Sequence, residues 1–166
     1  FMFAILPAFG LANAAATLVG QNLGAKHPDR VETSVWRASN ISAGFLCTIG
    51  VGFLVGAPWL VSLFTSEAEV ARYAVNYLRI VSLGFPFYAY GMVVSQSFNG
   101  AGDTRTPTII NLFVFWVLQI PLAWGLSRYG NFGAEGVFAT LAFSFSVFAV
   151  VSVLAFRRGS WKRVEV

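Results

Sequence analysis

The sequence predicts an all-α polytopic membrane protein with five transmembrane helices, and two observations carry that prediction. Hydrophobic residues make up 57% of the chain and charged residues 11%, with a mean hydropathy of +0.69; a soluble domain carries about 25% charged residues. The charges are also clustered, so that residues 1–25, 38–66, 80–102, 106–127 and 136–156 contain no Lys, Arg, Asp or Glu. Each stretch reaches the roughly 20 residues needed to cross about 30 Å of hydrocarbon. The expected spans are about 3–24, 38–63, 76–98, 107–127 and 134–156, in one transmembrane domain over 1–166 with a tail at 157–166.

The first span, with Pro7 and Gly10 inside it, places Asn13, Thr17 and Gln21 four residues apart on one helical face. That face is too polar for lipid. It faces the bundle or a water-filled path, or its amides join one helix to the next. "AKHPDRVE" at 25–32 is the first turn: Pro28 ends one helix, Asp29 and Glu32 favour a new start, and the solitary His27 is a loop histidine. The second span carries Gly44, Gly50, Gly52 and Gly56, expected to allow close helix approach, with Pro58 and Trp59 at its outer end. In "FTSEAEV", Ser66 and Glu69 have the spacing of a capping box.

The third span should kink near Leu83–Pro86, because Pro86 removes a backbone hydrogen bond. Gly84, Tyr88, Gly91 and Ser95 lie near one face, with Gln96 beside them. "NGAGDTRTP" at 99–107 is a tight elbow. Gly100 and Gly102 end the third span, Thr104 or Thr106 can cap the fourth, and Pro107 fits its first turn, with Asp103 and Arg105 between. It is no phosphate loop, since the Walker spacing and a preceding strand are absent. The fourth span presents Asn111, Phe115 and Gln119 on one face before a second kink at Pro121, and Trp124 lies towards the outer surface. Glu135 opens the fifth span at the membrane boundary, too peripheral for an intramembrane carboxylate site.

Charge placement sets the orientation. With the chain starting outside, Lys26, Arg30, Arg37, Arg105, Arg157, Arg158, Lys162 and Arg163 fall inside, against Arg72, Arg79 and Arg128 outside. This positive-inside bias predicts a cytoplasmic C-terminus, and a plasma (inner) membrane location is expected. Trp161 reads as an interfacial anchor, and "RRGSWKR" as stop-transfer charge or a contact for anionic lipid. The basic pI of about 9.6 does not imply nucleic acid, because no soluble surface exists for a basic groove. The single Cys47, in an apolar segment, excludes a disulfide framework and reads as a small core residue. No paired acids, HExxH or Ser/His/Asp set shares one depth, so neither an enzyme nor a metal or cofactor site is expected. The apolar run is already under way at Phe1 without a signal peptide's basic region, which predicts a fragment.

"PAFGLANAAATLVGQNLGAK", "NGAGDTRTP", "QIPLAW", "GAEGV" and "RRGSWKR", in that order, resemble the multidrug and toxic compound extrusion (MATE) transporters over nearly the whole chain. The resemblance implies part of a six-helix lobe of a twelve-helix transporter, here the C-terminal lobe without its first helix. It implies export of small, amphipathic organic compounds by alternating access, coupled to Na⁺ or H⁺ entry. The missing N-terminal lobe would be its partner, alongside membrane lipid. Some members bind the coupling cation at a carboxylate in the helix matching the third span, but residues 80–98 contain no Asp or Glu. Others use the N-terminal lobe, so the ion stays open. The candidate cavity residues, chosen from helical faces, are Asn13, Thr17, Gln21, Tyr88, Gln96, Asn111 and Gln119. The alternatives are a flippase for lipid-linked precursors, which should show buried Arg or Lys, and a non-transporting membrane anchor.

Overall fold

The computed structural model describes residues 2–130 and 132–163; the last tail residues expected at 164–166 lie outside the described residues. The helices are α1 (Met2–Gly24), α2 (Pro28–Ser62), α3 (Ala68–Ser82), α4 (Phe85–Gly100), α5 (Arg105–Arg128) and α6 (Gly133–Arg157), followed by a 3-10 turn at Ser160–Arg163. α1, α2, α5 and α6 are each long and apolar enough to cross a membrane, and α3 with α4 forms a fifth span bent by 54°. α2 begins ten residues before the expected edge of its span, because a helix need not stop where the hydrocarbon does. Its 35 residues reach about 52 Å at 1.5 Å per residue, carrying Arg30 and Arg37 beyond the apolar stretch.

α4 is the centre of the bundle and packs against α1, α2 and α6. α1 turns Ala4, Ala8, Ala12 and Ala15 inwards, fully or almost fully buried, and leaves Asn13, Thr17 and Gln21 exposed on its other side. Small side chains let the two backbones nearly touch: a Cβ on Gly100 would lie 2.1 Å from the Ala16 carbonyl oxygen. Of the α2 glycines, only Gly50 makes such an approach, 3.2 Å from the Ser82 carbonyl. Gly44, Gly52 and Gly56 face open space, which corrects the expectation that they pack helices together. Cys47 is exposed on α2 and not in the core. An apolar neighbourhood marks a span but not which side of it faces inwards.

The kink expected near Leu83–Pro86 is a true break, with Leu83 and Gly84 separating the two helices. Pro86 stands in the first turn of α4, where no intrahelical N–H is required. A Cβ on Gly84 would lie 3.0 Å from the Ala142 Cα, so the break is pressed against α6. The Ser66–Glu69 capping box does not form. Glu67 precedes α3, and its N–H donates to Thr65 Oγ1 at 3.2 Å instead. At Pro121 the helix is not interrupted. Leu112–Leu118 winds as a π-helix just before it, with the Gln119 N–H donating to the Val114 carbonyl. The widened turns accommodate a proline that offers no N–H and crowds the preceding carbonyl.

The elbow has a Schellman geometry. Gly102 takes φ 82°, its N–H donates to the Asn99 carbonyl (3.1 Å), and the Asp103 N–H donates to the Phe98 carbonyl (2.9 Å). Asp103 then caps α5, accepting the Thr106 N–H at 3.0 Å and the Thr106 hydroxyl at 2.6 Å. Thr104 and Thr106 are therefore not the capping side chains; the carboxylate is the better acceptor and lies at the required spacing. Pro107 is buried in the first turn of α5.

Trp161 is fully buried rather than an interfacial anchor. It stacks on Phe156 with ring centroids 4.9 Å apart, and its Nε1–H donates to the Phe156 carbonyl at 3.0 Å. The Phe156 carbonyl also accepts the Gly159 N–H at 3.0 Å, so the indole is a second donor at this helix end, and its rings fill the cluster of Val31, Val35, Val94 and Phe98. Lys162 pairs with Glu32 at 2.6 Å, closing the tail onto α2.

Pro58, inside α2, leaves the Leu54 carbonyl without its usual donor four residues on. Arg79 of α3 fills that position, its Nε–H donating to the Leu54 carbonyl at 3.1 Å. Arg79→Leu in the full protein should cost about 1 kcal/mol of stability, and much less in a Pro58→Ala background, where position 58 regains an N–H. Equal losses in both backgrounds, measured by unfolding in detergent, would refute the clasp. Gly100→Ala should cost about 1–3 kcal/mol through overpacking, whereas Gly44→Ala, with nothing within 4 Å, should leave the melting temperature near its starting value.

Candidate functional site

Two adjoining cavities run along the face shared by α4, α5 and α6. The first, about 240 Å³, lies between Phe9 of α1, Tyr88, Gln96 and Asn99 of α4, Asn111 and Phe115 of α5, and Phe148 of α6. The second, about 200 Å³, is enclosed by Tyr77 and Val81 of α3, Tyr88, Phe115 and Gln119, and Leu141 and Phe145 of α6. Tyr88 and Phe115 belong to both.

An aromatic partition divides the pair. The Tyr88 ring lies 4.6 Å from that of Phe145, and Phe115 lies 5.2 Å from Phe148. Gly91 lies under the Phe148 ring, where a Cβ would come within 2.4 Å, so the ring reaches the cavity wall only because position 91 has no side chain. On the amide side, Gln96 Nε2 donates to Asn13 Oδ1 at 3.3 Å, and Asn99 Nδ2 donates to Gln96 Oε1 at 2.6 Å. Gln119 Oε1 is buried without a hydrogen-bond partner among the described residues, so it is an acceptor on the wall of the second cavity. None of the side chains lining the two cavities is an Asp, Glu, Lys or Arg. Such walls suit a flat, amphipathic guest: π-faces for rings or an organic cation, and amide carbonyls for its N–H groups.

Of the seven residues selected from helical faces, Tyr88, Gln96, Asn111 and Gln119 line the cavities, and Asn13 joins the first through Gln96. Thr17 and Gln21 do not. The Thr17 hydroxyl turns back to the Asn13 carbonyl at 3.1 Å, and both residues are exposed further along α1. Phe9 and Asn99 were not selected, although each had a signal: Phe9 precedes Asn13 by one turn, and Asn99 follows Gln96 at i+3. The exposed Glu135 accepts a hydrogen bond from Asn76 Nδ2 at 2.7 Å, which joins α3 to the start of α6 away from both cavities. Among the described residues no group of His, Cys, Asp and Glu could hold a metal ion.

Curated proteins similar to this chain carry multidrug resistance in their names. The chain is 25% identical over 161 residues to the "Probable multidrug resistance protein NorM" of Thermotoga maritima, covering 97% of this chain and 35% of that protein. It is 27% identical to the "Probable multidrug resistance protein YpnP" of Bacillus subtilis, covering 97% of this chain and 36% of that protein. The chain thus spans about a third of the length of these relatives. Its fold superposes on an inward-facing multidrug resistance MATE family transporter of the MOP superfamily with a TM-score of 0.89 at 24% identity, covering 99% of this chain and 39% of that one. The eukaryotic MATE transporter AtDTX14 gives a TM-score of 0.85 at 26% identity, covering 94% of this chain and 35% of that one. The MatE family profile matches residues 1–124, and the chain belongs to the MatE family.

Proposed function

We propose that the chain forms most of one lobe of a cation-coupled multidrug exporter, in which the paired cavities receive an amphipathic organic substrate. The observation that carries this reading is the uncharged aromatic and amide lining common to both cavities. Family membership and the relatives' names support it. Alternating access then requires a second lobe, and Na⁺ or H⁺ entry would drive export. The positive-inside bias supports a cytoplasmic C-terminus, and the exporter reading places the protein in the inner membrane. A flippase for anionic lipid-linked precursors is less well supported, since its headgroup would meet no cationic side chain in either cavity.

Export by the full-length protein tests the reading. Gln96→Leu removes the amide that joins Asn13 to Asn99 and should lower transport of an N–H-bearing cationic dye by about two- to tenfold. Tyr88→Ala should change which dyes are carried, because it opens the wall between the cavities. Unaltered rates and dye preference in both variants, at wild-type expression, would leave a membrane anchor as the better reading.

The elbow makes a separate demand. Asp103→Ala loses the α5 cap, worth about 0.5–2 kcal/mol, and should weaken export, while Asp103→Asn should restore it. Arg105→Ala should also weaken export if the exposed guanidinium matters to the hairpin. Wild-type transport in both alanine variants would remove the elbow from the mechanism.

A further inference from the structure

We propose that the outward face of α2 seats an anionic phospholipid, with its phosphate held by Arg30 and Arg37 and its acyl chains lying along the helix. A third cavity, about 320 Å³, lies outside the groove described above and is lined by Asn22, Asp29, Arg30, Thr33, Ser34 and Arg37. The two arginines are seven residues apart, two helical turns, and so share one face. Among the described residues neither makes an ion pair, whereas Lys162 is bonded to Glu32 and Arg157 lies over the Trp36 ring. Two cations beside one carboxylate leave a single net positive charge, which matches a phosphodiester monoanion better than a polyphosphate.

What continues from the cleft identifies the occupant as lipid. The same helical face runs on through Ile41, Gly44, Thr48, Val55 and Trp59, all exposed. From Arg37 to Trp59 the rise is about 33 Å, close to the ~30 Å hydrocarbon core, with Arg at one boundary and Trp at the other. Gly44 and Gly52 flank Thr48 with nothing within 4 Å of where a Cβ would stand, leaving a shallow trough along an otherwise apolar face. A soluble anion would use the cleft alone; an anionic lipid uses the cleft and the trough together. This site is independent of what the groove exports.

The test is native mass spectrometry of the full-length transporter with phosphatidylglycerol and, separately, phosphatidylcholine. The wild type should favour phosphatidylglycerol. Removing both arginines (R30A with R37A) should weaken phosphatidylglycerol binding by about 25-fold, roughly fivefold for each charge, and leave phosphatidylcholine binding unchanged, which also reports an intact fold. Gly44→Leu, which fills the trough and keeps the arginines, should weaken both lipids. R72A with R128A, at the opposite boundary, should change neither. The proposal falls if the Arg30/Arg37 variant keeps its preference, if the opposite-boundary variant loses as much, or if glycerol phosphate displaces the lipid.

Discussion

In hydrocarbon no water is available to a backbone N–H or carbonyl, so every departure from regular helix must find its partner within the protein. Three departures within the spans and one at the elbow meet the demand differently. Pro58 orphans the Leu54 carbonyl, and Arg79 supplies the donor from the neighbouring helix. Pro121 is preceded by a π-helical stretch that redirects the Gln119 N–H to Val114. The α3–α4 break puts Pro86 where a helix has no use for its N–H. At the elbow, Gly102 and Asp103 close the end of one helix and open the next through side-chain and backbone bonds within nine residues. So polar a segment interrupts so apolar a chain because two helix ends need their orphan groups satisfied within one turn.

Once the backbone is satisfied, the shape of the side chains decides which helices touch. The alanine face of α1, together with Gly20 and Gly100, brings α1 against α4 at backbone distance. The bulk is on the other side of α4, where Tyr88 meets Phe145 and Phe148. Rings cannot interdigitate as closely as alanines, and space is left between them. The groove is thus a consequence of asymmetric residue size around one central helix, with Gly91 allowing Phe148 to lean in.

The helices, their order and the bend at Pro86 were legible because charge clustering and proline act locally. Inward and outward faces were less so. In a soluble helix polarity marks the outside, but in a membrane both lipid-facing and core-facing sides are apolar, so Cys47 and the α2 glycines could not be oriented from composition. Trp161 shows the same limit: a tryptophan near a membrane boundary fits an anchor, and only the neighbouring Phe156 carbonyl and ring make it core. Polar residues within spans were more informative. Tyr88, Gln96, Asn111 and Gln119 could not face lipid without loss, and the folded chain brings them to one groove. Thr17 escaped that logic by bonding to its own helix, which satisfies a hydroxyl without any partner element.

The groove and the irregular backbone coincide. Tyr88 stands one turn after the Leu83–Gly84 break, and Phe115 lies within the π-helical stretch. Both residues shared by the two cavities are therefore carried by backbone that already departs from a uniform rod. The 54° bend joins α3 to α4 one turn before Tyr88, and the π stretch sets the angle between Phe115 and Asn111. On the other side of α4 the Ala16 carbonyl and Gly100 meet at backbone distance. The central helix thus carries a close-packed contact with α1 on one side and part of the wall of both cavities on the other.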